Sequence, residues 1–222
     1  MCVADGATES IFAREFANML VEKFLGCDAR QGTALSHIMQ TVVGKASAAW
    51  RQLMLTRTMP WYVQLKADEG AHAAFTAVRL IPAVAQRQRK RLFFQKTLYT
   101  CEAVAVGDVC VFVIRGDELI HAFPIDNPAE FNNSPRLISS LHDVPQRHIE
   151  TTSAELQRGD TMFVLSDALA EWFLKSREGG LFPWKRLIKI KDKAAFDLLI
   201  EQLRAQRLMK NDDATALMLT LP

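Results

Sequence analysis

The chain has 222 residues, about half of them apolar, and a formal net charge of +2. That length and apolar content build one sizeable core and exclude a disordered chain. The near-balanced charge argues against nucleic acid or an anionic membrane as partner, and no apolar stretch approaches the roughly 18 residues of a membrane span.

Cys2–Ala4 reads as a strand stub running into the turn signal Asp5-Gly6. From Ser10 to Leu25, residues Ile11, Phe12, Phe16, Met19, Leu20 and Phe24 recur at spacings of three and four, the period of an amphipathic helix. Gly26 ends it. A second helix is predicted over Thr33–Leu55, weakened in its middle by Gly44 and stopped at Thr58-Met59-Pro60. Ala71–Leu80 fits a strand or a short helix. The basic stretch Gln86–Arg91 reads as a solvated loop or hairpin tip, because no interleaved aromatics support nucleic-acid binding.

Leu98–Val106, Val109–Ile114 and Glu118–Phe123 are β-type runs. Gly107-Asp108 and Gly116-Asp117 separate them, which predicts an antiparallel meander. Asp126–Pro135, with Asn132 and Asn133, is a loop by composition. A strand is predicted over Val144–Thr152 and another in "TMFVLSD", ending at Asp167, with a helix beginning at Leu169. Asp192–Arg207 is an amphipathic helix with Asp192 near its N-cap, and Ala214–Leu221 is the last strand. Helices and antiparallel strands mixed in this order give an α+β fold in a single domain over 1–222.

The four cysteines, Cys2, Cys27, Cys101 and Cys110, show no CxxC spacing and read as reduced, buried thiols. No basic n-region precedes Asp5 and Glu9, so no signal peptide is read and a cytoplasmic location is expected. Trp50, Trp61, Tyr62, Trp172 and Trp184 are expected in the core, and His121 and His148 in structural or surface positions.

Four acids share a context: Asp5 in "VADG", Asp108 in "AVGD", Asp167 in "FVLSD" and Asp212 in "KNDD" each follow or precede a strand where it meets a turn. Singly, an aspartate in such a place is a common turn or cap residue. Gathered at one rim, they would raise each other's pKa unless a cation sat between them, and hard ions such as Mg²⁺ and Mn²⁺ prefer such oxygens.

Five segments in order carry a resemblance: "VADGATES" with the helix "FAREFANMLVEKF", "WYVQLKADEGAHAAFTAV", "AVGDVCVFVIRGDELIHAFP", "GDTMFVLSDALAEWF" and "KNDDATALML". Together they resemble the metal-dependent serine/threonine protein phosphatases of the 2C type (the PPM family), in a bacterial-like subgroup. The resemblance implies a four-layer α-β-β-α sandwich of two antiparallel sheets flanked by helices. It implies two Mn²⁺ or Mg²⁺ ions, with a third in some relatives. Asp5 would bridge two ions and the Gly6 carbonyl would bind one. Asp167 and Asp212 would bind the other, Asp108 would serve the third, and Glu171 would stand one helical turn after Asp167 as a further acid. Catalysis would run through Asp5, Asp167 and Asp212 by way of a metal-activated water. The substrate would be a phosphoprotein, with a cognate Ser/Thr kinase as its source. Members of that family place strands with an acid and a phosphate-holding Arg before the Asp-Gly segment. Only four residues precede Asp5 here. Weakened activity, or a non-catalytic binding or regulatory module on the same fold, is the alternative, with a homodimer covering the edge left by the missing strands.

Overall fold

Val111, Val113, Met162 and Val164 alternate in sequence with Cys110, Phe112, Ile114, Phe163 and Leu165, and all nine are buried. A strand that is apolar on both faces must be covered on both. In the computed structural model, which describes residues 1–28, 32–83, 97–131 and 135–222, that covering is a sheet on one side and helices on the other. The stretch 86–91, Asn132 and Asn133 lie outside the described residues.

The elements run β1 (Cys2–Gly6), α1 (Ala13–Leu25), α2 (Leu35–Thr56), α3 (Trp61–Asp68), β2 (His72–Pro82), β3 (Thr97–Val106), β4 (Cys110–Arg115), β5 (Glu118–Phe123), β6 (Ile138–Ser139), β7 (Glu150–Gln157), β8 (Thr161–Leu165), α4 (Asp167–Glu178), α5 (Pro183–Leu187), α6 (Lys193–Ala205) and β9 (Ala216–Thr220). One antiparallel sheet has the order β1-β2-β3-β7, with β6 also on β2; the second is β5-β4-β8-β9. Phe16, Leu20, Val42 and Trp50 of α1 and α2 pack on Phe75, Ala77, Val104 and Val106 of the first sheet. Leu169, Phe173, Trp184 and Leu203 of α4, α5 and α6 pack on the second. Phe173 stacks on Phe112 with centroids 4.5 Å apart. Val3, Ala74, Val78, Ala103 and Ala105 meet Val111, Val113, Met162 and Val164 between the sheets. The result is the expected four-layer α-β-β-α sandwich.

Several elements differ from expectation. The meander is broken: β3 belongs to the first sheet and β4 to the second, so Gly107-Asp108 is a crossing between layers and not a hairpin turn. Gly116-Asp117 does join a true hairpin, β4 to β5. α1 starts at Ala13, because Phe12 adopts a left-handed backbone with φ 56°. α3 was not anticipated, and its Trp61 and Tyr62 are exposed, while Trp50, Trp172 and Trp184 are buried as expected. Of strand or short helix, the run Ala71–Leu80 takes strand, as β2 over His72–Pro82. β7 starts at Glu150, after a 3-10 turn at Gln146–His148. Of the four thiols, Cys101 and Cys110 are buried and Cys2 and Cys27 half-buried, all free.

Gly107 has φ +102°, and an added Cβ would stand 2.6 Å from the Ala74 Cβ and 3.0 Å from its Cα. Gly107→Ala therefore combines a left-handed backbone with a clash against sheet backbone, at about 2–4 kcal/mol. Its melting temperature should fall by roughly 5–10 °C in a thermal scan, since each kcal/mol moves a domain of this size by about 2–4 °C. An unchanged melting temperature would refute the close approach.

Candidate metal centre

Each aspartate reaches the same end of the sandwich from a different segment. Asp5 lies in β1, opposite Ala74 of β2. The following Gly6 is pressed against α1: a Cβ there would stand 2.8 Å from the Ala13 carbonyl carbon. Asp108 follows Gly107 on the crossing between sheets and is buried. The crossing is held by Thr76 Oγ1, which donates to the Val109 carbonyl at 2.6 Å, and by Cys110 Sγ, which donates to the Asp108 carbonyl at 3.3 Å.

Asp167 opens α4 directly after β8, and Asp212 sits in the loop before β9. Ser166 joins these two. Its Oγ accepts from the Thr215 N–H at 3.1 Å and donates to the Asp213 carbonyl at 3.2 Å, while its own N–H donates to the Thr215 carbonyl at 3.0 Å. Ser166 stands at the N-cap position but makes no side-chain cap bond; its hydroxyl is spent on the 213–215 loop instead.

Asp5, Gly6, Asp108, Asp167 and Asp212 line one cavity of about 350 Å³, together with Thr8, Glu9, Ala74 and Lys210. Asp213 does not line it; its backbone N–H donates to Asp212 Oδ1 at 2.8 Å. A second groove of about 300 Å³ adjoins through Asp108 and Pro135 and carries Glu130, Arg136 and Glu150.

The cavity is electrostatically uncomfortable. Burial, then repulsion from Asp167, Asp212 and Asp108, pushes Asp5 up to about 7 from an ordinary value near 3.8. Burial, then Asp167, pushes Asp108 up to about 6. Asp167 is also raised, chiefly by burial, against the pull of the Ala168 N–H at the start of α4. Its Oδ1 is buried without a hydrogen-bond partner among the described residues.

Glu171 is placed differently from Asp167. It does not line the cavity, and its carboxylate is taken by two lysines, Lys175 at 2.7 Å and Lys210 at 2.8 Å. Burial would raise the Glu171 pKa, but the two ammonium groups outweigh it and hold it below the usual carboxylate range. Ser166 and Lys210 were not singled out from the sequence. A serine directly before Asp167 carries an N-cap signal, whereas nothing local marks Lys210. His121, which shares a 3.3 Å hydrogen bond with Thr152 Oγ1, and His148 are both outside the cavity.

Three solved structures superpose over nearly the whole chain. PppA, described as a key regulatory component of the T6SS in Pseudomonas aeruginosa, is 15% identical with a TM-score of 0.58, covering 98% of this chain and 83% of its own. The Mycobacterium tuberculosis serine/threonine phosphatase PstP is 17% identical with a TM-score of 0.59, covering 99% and 87%. This chain has the 2C-type phosphatase fold. The PstP catalytic domain in complex with two manganese ions, 17% identical, matches the same 2C-type fold with a TM-score of 0.55, covering 98% and 85%. No family model and no curated protein matches the sequence.

The residues present suit a hard divalent cation. The donors are all oxygen, one carboxylate oxygen is buried and unpartnered, and the carboxylates repel one another in the ion's absence. Among the described residues, no three His, Cys, Asp or Glu side chains stand close enough together to enclose an ion in the arrangement seen. No helix among them is long and apolar enough to cross a membrane.

Proposed function

We infer that this chain is a metal-dependent phosphoprotein phosphatase that hydrolyses Ser/Thr phosphomonoesters. One observation carries the reading: four aspartates from four separate segments line one cavity, and two of them are raised to about 7 and about 6 by burial and mutual repulsion. A site built to repel itself calls for a cation. Asp5, Asp167, Asp212 and the Gly6 carbonyl would hold Mn²⁺ or Mg²⁺, with Asp108 for a further ion. Such ions, when bound, acidify water and offset charge on phosphoryl oxygens. The chain's own part is to fix those oxygens on strand and helix ends, beside the apolar Ala74 and Leu137 that share the lining. The manganese-bound PstP domain supports the choice of ion. The substrate is a phosphoprotein, the product of a protein kinase.

A second reading, a catalytically weak binding or regulatory module on the same fold, is favoured by the lack of an enclosed three-acid cluster among the described residues. Turnover of para-nitrophenyl phosphate and of a phosphothreonine peptide, with Mn²⁺ and with chelator, separates the two when paired with Mn²⁺ calorimetry. The phosphatase reading expects turnover that chelation abolishes. Mn²⁺ binding without turnover would hand the case to the module, and failure to bind Mn²⁺ would sink the site assignment.

A further inference from the structure

Lys210 is the single Lys or Arg side chain lining the aspartate cavity among the described residues. It is not a loose surface lysine. Its ammonium is anchored 2.8 Å from Glu171 Oε2, and the other oxygen of that carboxylate is held at 2.7 Å by Lys175. Glu171 is largely buried, whereas Lys210 remains exposed over 40% of its side chain. Two cations sharing one carboxylate leave the trio with a surplus positive charge. α4 supplies Glu171 and Lys175 one turn apart, and the lysine held there borders the aspartate cavity on one side and the groove of Glu171 and Lys175 on the other. An ion pair of this exposure contributes little to stability. Asp167 and Asp108 also act on this ammonium, which ties its charge to the aspartate cavity.

We propose that Lys210 contacts the phosphoryl group of the substrate, with Glu171 and Lys175 as the residues that position it. This rests on the phosphatase reading above for the identity of the anion. Of the charged side chains lining the cavity, Asp5, Glu9, Asp108, Asp167 and Asp212 repel a phosphate monoester, and Lys210 attracts it. An ammonium is a point-charge donor suited to a non-bridging phosphoryl oxygen. The same charge offsets part of the aspartate repulsion before any ion arrives. Lys210 should therefore act in opposite directions on the two ligands: it aids phosphate binding and opposes metal binding.

That opposition gives a test which general structural damage cannot imitate. Lys210→Met and Lys210→Gln remove the charge, and Lys210→Arg keeps it. Calorimetry of the full chain measures Mn²⁺ binding to the metal-free protein and inorganic phosphate binding to the Mn²⁺-loaded protein. Steady-state assays with para-nitrophenyl phosphate separate KM from kcat. Without the charge, phosphate affinity should fall roughly 10- to 100-fold, the range of a hydrogen bond to a charged group, and KM should rise with it. Mn²⁺ affinity should rise severalfold, and Lys210→Arg should restore phosphate binding. Unchanged phosphate affinity in both neutral variants overturns the proposal, whatever happens to turnover. Phosphate and Mn²⁺ affinities falling together also overturn it, because that is the mark of a damaged site. If the wild type binds Mn²⁺ and phosphate with the expected Lys210 dependence yet turns nothing over, the proposal stands and the hydrolase reading fails.

Discussion

Asp167→Asn should lose metal-dependent turnover by roughly a thousandfold or more and, without metal, should melt a few degrees above the wild type. The loss follows if Asp167 holds an ion whose charge contributes several kcal/mol to the transition state. The gain follows from the cavity itself. Asp167 is raised chiefly by burial, Asp212 adds repulsion, and its Oδ1 has no partner among the described residues. An amide of the same shape removes the charge and supplies a donor. Activity and stability thus move in opposite directions from one atom's change, as expected of a site under functional strain. Assays with Mn²⁺ and thermal scans in chelator are the two measurements. Full turnover in the variant would show that Asp167 is not a ligand.

The second large effect is a reversal of pH dependence by metal. Asp5 and Asp108 titrate at about 7 and about 6 when folded, against about 3.8 when unfolded. Both bind their protons more tightly in the native state. Their contribution to stability is complete below about pH 4 and is lost as pH rises through about 6 for Asp108 and about 7 for Asp5. The metal-free protein should therefore weaken between pH 5 and pH 8, by the order of a few kcal/mol. Mn²⁺ binds the ionised carboxylates, so its stabilisation should grow over the same window. At one hundred times its dissociation constant it supplies about 2.7 kcal/mol, or roughly 5–10 °C. Thermal scans at pH 5.5 and pH 8, with and without Mn²⁺, read this directly. Equal stabilisation at both pH values would exclude these carboxylates as the binding groups.

What the sequence disclosed and what it hid differ in kind. Asp5, Asp108, Asp167 and Asp212 stood out because each adjoins an apolar strand, and strand ends are places that a sandwich gathers at one rim. The two Gly-Asp pairs looked alike and behave differently. Gly116 meets nothing within 4 Å and simply turns a hairpin, while Gly107 is wedged against Ala74 and carries the chain from one sheet to the other. Nothing local distinguishes them, because the wedge is made by a residue 33 positions away in β2. α3 was hidden because Trp61, Tyr62 and Leu65 are exposed and Ala67 alone is buried, so no apolar stripe marks the helix. Glu171 sat one turn after Asp167, as expected of neighbours on a helix, but the turn carries it to the lysines and away from the cavity. Lys210 was invisible because its partner is on α4 and its cavity neighbours come from β1, β2, the crossing between the sheets and the start of α4.

Ser166 has a consequence for how such a chain can vary. Its hydroxyl and amide fasten the end of β8 to the loop before β9, so three hydrogen bonds at the junction help to hold Asp167 and Asp212 in relation to each other. The long helical excursion through α4, α5 and α6 leaves from one side of that clasp and returns to the other. Its outer surface is free to drift or to accept an inserted module, while Arg204 of α6, which donates to the Asp212 carbonyl, must stay in register with the clasp. Innovation can accumulate on that flank while the chemistry at the rim stays where it is.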